Sequence, residues 1–245
     1  MIILGIDSAT PNASVALVED EKLIADEISS GSSQGSTLSR AQPKGNHAEI
    51  VLPLIQKVLA QSHTSLEAVS GLAVSIGPGS FTGLRVALAT VKGLAYEWGV
   101  PVVGVSTLLA NAARVRDHEG VIGSLMDARK REVYAGIYRR QGELLSCIAD
   151  ERVCSVAAAM DLLRDAGATG AVIVGDGASA YEAWLAQAFG ESARISAGDE
   201  FGSVAAQVAA LARARLSAGQ GDDLAHLTPR YLRSSEAEKN FASRV

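Results

Sequence analysis

One segmental pattern occurs twice in this chain, at residues 3–28 and 123–148. In each copy an apolar strand ends at an aspartate, a short turn leads to a second strand, and a charged hairpin leads to a third. The two aspartates are Asp7 and Asp127. Self-similarity of this kind indicates a duplicated unit. The sequence therefore predicts an α/β protein with two similar lobes, each a mixed sheet flanked by helices, and a cleft between them.

The chain has 245 residues, which is enough for two lobes of about 110–130 residues each. We place the first lobe at residues 1–105 and the second at 106–245. A last helix near 203–216 is expected to pack back on the first lobe. We expect the tail at 228–245 to be solvated, although it holds four basic residues that could meet phosphate: Arg230, Arg233, Lys239 and Arg244.

Composition excludes several function classes. The formal net charge of −5 argues against a protein that binds nucleic acid by itself, because such proteins usually have a basic surface. Only 4% of the residues are aromatic, which argues against a base-stacking platform. Cys147 and Cys154 are too few and wrongly spaced for a zinc site. The N-terminus has no basic region and no run reaches the ~18 apolar residues of a membrane span, so we expect a cytoplasmic protein.

Two helices of the first lobe carry more apolar surface than one core contact needs. They are predicted at about 46–62 and 82–98, on either side of the buried strand that ends at residue 76, and a Ser-rich loop at 31–43 precedes the first. One alternative is that both sides of the second helix face its own lobe, the sheet on one side and a neighbouring helix on the other. In a lobe of two layers, however, the outer side of such helices should be polar, so we expect these helices to form an apolar surface for a partner. The predicted partner interface comprises Leu54, Val58, Arg85, Ala87 and Val91. Because Arg85 opposes the helix dipole, we expect it to have an acidic or phosphate partner.

Five segments together resemble the TsaB (YeaZ) family: IDSATPNASVAL, NHAEIVLPLI, IGPGSFTGLRVALATVKGLA, PVVGVSTL and DARKREVYAG. The resemblance covers most of residues 1–140, although the loop at 31–43 is longer than expected of the family. It implies the ASKHA fold of actin, sugar kinases and Hsp70. It also implies a non-catalytic subunit that pairs with TsaD and helps to recruit the ATPase TsaE. That machinery makes N6-threonylcarbamoyladenosine at position 37 of tRNA, and ATP or ADP is expected, if anywhere, at the complex interface.

The same resemblance points to a possible nucleotide site. Acids at the strand ends of ATP-hydrolysing relatives position Mg²⁺ or water, and glycine turns approach phosphate. The corresponding candidates are Asp7, Ser8, Thr10, Gly77, Gly79, Gly175 and Gly177, with Asp127 in the second repeat. Each has a structural alternative, since aspartate and serine also end strands and glycines also allow close packing. For the loop at 77–83 we favour packing together with subunit contact over autonomous nucleotide binding.

No metal site is expected. In the catalytic relative TsaD, two histidines one helical turn apart hold a metal, and here those positions are Thr107 and Asn111. The four histidines, His47, His63, His118 and His226, form no pair at i, i+4 on one helix. Two other functions stay open. One is an autonomous ASKHA ATPase or small-molecule kinase that uses Asp7, Asp127 and the Gly175 turn, and the other is a homodimeric scaffold.

Overall fold

A computed structural model describes residues 1–29, 47–196 and 198–233. The predicted loop at 31–43 lies outside the described residues, as do residues 234–245 of the tail. Two five-stranded sheets form the framework, in the orders β3-β2-β1-β4-β5 and β10-β9-β6-β7-β8. Their strands are β1 (Ile2–Asp7), β2 (Ser14–Glu19), β3 (Lys22–Ile28), β4 (Val69–Gly77), β5 (Val102–Ser106), β6 (Gly120–Asp127), β7 (Glu132–Gln141), β8 (Leu144–Ser155), β9 (Ala171–Val174) and β10 (Ala193–Ser196).

The second sheet repeats the topology of the first. β1 pairs antiparallel with β2 and parallel with β4, and β6 pairs antiparallel with β7 and parallel with β9. In both sheets the third strand of the meander forms one edge and a late parallel strand forms the other. The predicted duplication and the two-lobed α/β class are therefore confirmed. The sequence pattern did not reveal the short edge strand β10, and it predicted one helix from about Ser179 where the structure has two, over Asp176–Ala180 and Glu182–Phe189.

The helices are α1 (His47–Gln61), α2 (Phe81–Trp98), α3 (Thr107–Ala113), α4 (Val156–Asp165), α5 (Asp176–Ala180), α6 (Glu182–Phe189) and α7 (Val204–Ser217). Local chemistry sets the ends of α2. The Ser80 hydroxyl accepts a hydrogen bond from the Gly83 amide at 3.2 Å, and Gly99 ends the helix in the left-handed conformation. None of the described helices is long and apolar enough to cross a membrane.

Helices cover the first sheet on both faces. Leu4 and Ile6 of β1 point into a core shared with α1 and α2, and Ile3 points into a core shared with α7. At Gly5, a Cβ would lie 2.2 Å from the carbonyl oxygen of Ala205, so α7 approaches the sheet backbone directly. The first lobe thus has three layers, and the assumption of two layers behind the predicted partner surface is wrong.

The second sheet is covered in the same way. One face packs against α4, α5 and α6, in a core that includes Leu125, Ile137 and Leu163. The other face packs against α3 through Leu108 and Ala112. Because α3 also contacts α7, these two helices join the lobes at their centre. The domain boundary at residue 105 stays a prediction, and β5 of the first sheet ends one residue beyond it, at Ser106.

Candidate functional site

Four of the five predicted interface residues lie inside the first lobe. Leu54, Val58, Ala87 and Val91 belong to the buried core between α1, α2 and the first sheet, and Ala87 has no exposed surface. Their apolar character is explained by this contact, because both helices pack on the sheet and on each other. The expectation that these four side chains form a seam open to a partner is therefore wrong.

The outward faces of the same helices carry a different set of small and apolar residues. On α2, Ala89 and Gly93 are exposed, and Tyr96 is 88% exposed. On α1, Leu52 is 49% exposed and its neighbour Pro53 is exposed as well. We call these five residues the outer face. A helical layer that faced only water would be expected to carry mostly charged residues there.

Arg85, the remaining predicted interface residue, is exposed at the N-terminal end of α2. Its Nε donates a hydrogen bond of 2.9 Å to the hydroxyl of Tyr231, and its guanidinium lies 3.9 Å from the centre of the Phe81 ring. Tyr231 and Phe81 stack with their ring centres 5.2 Å apart. The partners given by these contacts are a hydroxyl and an aromatic ring, so they do not include the expected acid or phosphate.

The glycine loop after β4 is filled by the chain itself. A Cβ on Gly83 would lie 1.7 Å from the carbonyl oxygen of Ser8, and one on Gly79 would lie 2.4 Å from that of Ala9. Ser80 donates its backbone N–H to the same Ala9 carbonyl at 2.8 Å. Close backbone approach therefore accounts for these glycines. A Cβ on Gly77 would meet the carbonyl of Arg230 at 2.6 Å.

Asp7 is completely buried at the end of β1. Its carboxylate accepts hydrogen bonds from the Thr10 hydroxyl and from the Ala9 amide, the latter at 3.2 Å. Burial raises the pKa of Asp7, and hydrogen bonds to the carboxylate oppose that rise. The Asp7 carboxylate is hydrogen-bonded within its own turn, and the Ser8 carbonyl lies against Gly83 of the glycine loop. This geometry does not fit a phosphate cradle in the first lobe.

The equivalent turn of the second lobe brings two acids together. Asp127 accepts hydrogen bonds from the Arg129 amide at 2.8 Å and from the Tyr181 hydroxyl at 3.2 Å. Burial raises the pKa of Asp176 to about 6. A backbone hydrogen bond from Asp127 opposes this rise, and the negative charge of Asp127 adds to it. Gly175 and Gly177 pack on the backbone of residues 125–126. Packing therefore accounts for both glycines here too, and their proposed nucleotide contact stays a prediction.

A tight turn between β6 and β7 presents three basic residues, Arg129, Lys130 and Arg131. We call it the basic turn. All three have left-handed backbone conformations, with φ of 64°, 55° and 62°. For residues with a Cβ this conformation costs about 1–2 kcal/mol each. The Ala128 amide donates to the Glu132 carbonyl at 3.0 Å and the Glu132 amide to the Arg129 carbonyl at 3.0 Å, which holds the turn closed.

The C-terminal segment 222–233, which we call the strap, crosses from the first lobe to the second. In the first lobe Leu227 is buried in the core, and the Arg230 amide donates to the Ile76 carbonyl at 2.7 Å. In the second lobe Arg233 donates to the Ala128 carbonyl at 2.7 Å and to the Glu132 carboxylate. The expectation of a solvated tail is therefore wrong up to residue 233, because its cations pair with the protein's own acids.

Glu151 on β8 forms an ion pair with the strap, and it was not among the residues predicted from the sequence. Its side chain is 6% exposed and pairs with Arg230 at 2.7 Å. It also accepts hydrogen bonds from the Tyr138 hydroxyl at 2.6 Å and from the Ser106 hydroxyl of the first lobe. A signal for the strap did exist in the sequence, since Leu224 and Leu227 are apolar residues in a largely polar segment, and both pack against the core of the first lobe.

The positions at which the resemblance places the metal-binding histidines of TsaD are buried in this fold. Thr107 and Asn111 lie on α3, and the Asn111 side-chain oxygen accepts a hydrogen bond of 2.9 Å from Arg114. Within residues 1–29, 47–196 and 198–233, no group of three or more His, Cys, Asp or Glu side chains is placed to hold a metal.

Known structures share this architecture. A Pseudomonas aeruginosa protein, described as uncharacterized with similarity to peptidase YEAZ, superimposes with a TM-score of 0.69 at 26% identity, covering 95% of this chain and 99% of its own. The ethanolamine utilization protein EutJ from Carboxydothermus hydrogenoformans superimposes with a TM-score of 0.51 at 14% identity, over 86% and 89% of the two chains. The second likeness concerns the fold alone. The fold class is ASKHA, as the resemblance implied.

Sequence comparisons identify the family. Residues 41–241 match the family model described as TsaD, tRNA N6-adenosine threonylcarbamoyltransferase. The tRNA threonylcarbamoyladenosine biosynthesis protein TsaB of Bacillus subtilis is 26% identical over 98% of this chain and 98% of its own length. The protein of the same name from Haemophilus influenzae is 33% identical over 74% of each chain. With this sequence match and the matching fold, the chain belongs to the TsaB family of tRNA threonylcarbamoyladenosine biosynthesis proteins.

Proposed function

We propose that this chain is the non-catalytic subunit of a tRNA threonylcarbamoyltransferase complex, in which it pairs with TsaD and helps to recruit TsaE. TsaD would carry the metal and transfer the threonylcarbamoyl group to adenosine 37 of tRNA. The observation that carries the proposal is the outer face of α1 and α2. Five small or apolar residues are exposed there on helices whose opposite sides already pack in the core.

The outer face suits a helical partner. Ala89 and Gly93 have the small side chains that let two helices approach closely, and Leu52 and Tyr96 supply apolar area beside them. We propose that the corresponding helices of TsaD pack there, and that Arg85 lies at the edge of the contact. When TsaD is absent, the same face would favour pairing with a second copy of this chain.

An autonomous ATPase or kinase finds less support. Asp7 is buried in its own turn, backbone atoms fill the glycine loop, and the strap lies across the junction of the lobes. We therefore propose that any ATP or ADP binds in contact with a second subunit.

Reconstitution tests the proposed function. Purified chain and TsaD from the same organism are expected to elute together on size-exclusion chromatography, and tRNA modification in vitro should require this chain in addition to TsaD and TsaE. The isolated chain is expected to turn over no ATP. Full tRNA modification without this chain would refute the proposal, and sustained ATP turnover by the isolated chain would favour the kinase or ATPase.

A further inference from the structure

We propose that the basic turn of residues 129–131, together with the neighbouring Trp184, binds a single strand of RNA. Three consecutive cationic residues project there from a chain whose overall charge is −5. All three are exposed, and the Arg129 side chain is 86% exposed even though it pairs with Asp127 at 3.2 Å. Cations concentrated at one exposed point on an acidic protein are suited to a phosphate-bearing partner.

Nearby acids offset part of this charge. Asp127 is paired with Arg129, and Glu132 is paired with Arg233 of the strap. Arg233 therefore neutralises Glu132, and this pair adds no net charge beside the turn. The backbone hydrogen bonds that close the turn keep its three side chains on a fixed support, so few backbone degrees of freedom need to be ordered when a partner binds.

An exposed aromatic residue lies next to these cations. Trp184 on α6 is 43% exposed, and the Arg131 guanidinium lies 5.9 Å from the centre of its ring. The Tyr181 ring lies 6.2 Å from the Trp184 ring at an angle of 53°. A base can stack on such a ring while its phosphates meet the cations, which is how proteins bind unpaired RNA.

This combination favours RNA over an acidic protein segment, because carboxylates would use the cations and leave the tryptophan without a role. The low aromatic content of the chain argues against an extended stacking platform, but it is compatible with a single stacking ring at this turn. Naming the strand as part of the substrate tRNA rests on the proposed function. The proposed binding of RNA does not rest on that function, because only the residues of this surface support it.

The expected affinity is weak. Three phosphate contacts place the dissociation constant of the isolated chain in the non-specific range of about 10⁻⁴–10⁻⁶ M. For single-stranded RNA they also predict a fall of about 20-fold in affinity between 50 and 200 mM salt. In a complex with TsaD this contact would orient an RNA that the partner holds more tightly.

The test titrates the full chain into a fluorescein-labelled single-stranded RNA at 50 and 200 mM salt and follows anisotropy. The variant Arg129→Gln/Lys130→Gln/Arg131→Gln is expected to bind at least 10-fold more weakly at 50 mM and to lose most of the salt dependence. The control Lys22→Gln/Arg164→Gln/Arg213→Gln removes the same charge elsewhere and should stay within about 2-fold. Thermal midpoints establish that both variants are folded.

A second measurement does not depend on the stability of the turn variant. Unlabelled RNA should quench tryptophan fluorescence of the unmodified chain, and Trp184→Phe should abolish the quench and leave only the emission of Trp98. Equal loss of affinity in both charge variants would overturn the proposal, as would an RNA quench that survives Trp184→Phe. Polyglutamate that displaces RNA at equal charge concentration would instead identify an acidic protein as the partner. Co-elution with TsaD is unaffected by any of these results, so the two proposals fail separately.

Discussion

The guanidinium of Arg230 meets the carboxylate of Glu151 across the junction of the two lobes, with Nη1 and Oε2 2.7 Å apart. The two sides of this pair differ in solvation, because the Glu151 side chain is 6% exposed and that of Arg230 is 48% exposed. Glu151 also accepts hydrogen bonds from Tyr138 and Ser106, so one buried acid joins β5, β7, β8 and the strap. We infer that this acid helps to hold the two lobes in one relative orientation.

Removing the cation from this pair should destabilise the protein. Arg230→Met leaves a buried carboxylate with only its two hydroxyl donors, and we expect the free energy of unfolding to fall by about 1–3 kcal/mol. Arg213→Met is a matched control, because Arg213 is 41% exposed but pairs with Glu21, which is 79% exposed. That change should stay within about 0.5 kcal/mol. Equal effects in urea denaturation would contradict the special role of Glu151.

Two alanines on α2 separate core from partner surface. Ala87→Glu inserts a charge into the buried contact with the sheet, and we expect the isolated chain to lose several kcal/mol of stability or to fail to fold. Ala89→Glu makes the same chemical change two residues later on the exposed face. It should leave the thermal midpoint within a few degrees and weaken binding to TsaD by at least 100-fold in calorimetry. Unchanged TsaD affinity in Ala89→Glu would remove the outer face from the proposed contact.

The pKa of Asp176 predicts a specific dependence of stability on pH. The folded protein holds this proton up to about pH 6, whereas the unfolded chain releases it near the ordinary value of 3.8. Protonation therefore stabilises the folded state below about pH 4, and that contribution is lost as pH rises to about 6. Asp176→Asn should then gain about 1–3 kcal/mol relative to the unmodified chain between pH 4.5 and 7.5. The exposed change Asp165→Asn should show no comparable trend in thermal unfolding across that interval.

The residues at 107 and 111 predict the metal content. Because threonine and asparagine stand where the resemblance places metal-binding histidines in TsaD, the isolated chain should hold no stoichiometric zinc or iron and should not modify tRNA. Elemental analysis after dialysis measures this directly. One equivalent of metal per chain would contradict it and would require ligands other than those at 107 and 111.

Local sequence determined most of the elements. Strands β1 and β6 are apolar runs that end at aspartates, and serine or glycine at the ends of α2 sets its limits, because caps and strand periods depend on neighbours in the chain. The duplication followed from the same patterns. Family membership also followed from contiguous motifs, which need no knowledge of long-range contacts.

Tertiary structure alone decided which surfaces are available. The sequence shows that α1 and α2 have more apolar residues than one packing contact needs. Only the packing of the helices, however, assigns Ala87 to the core and Ala89 to the surface. The partners of Arg85, Arg230 and Arg233 are distant in the chain, at separations of 146, 79 and 101 residues. Such pairings depend on how the two lobes and the strap meet. No local propensity encodes that arrangement, because its free energy comes from contacts formed only in the folded chain.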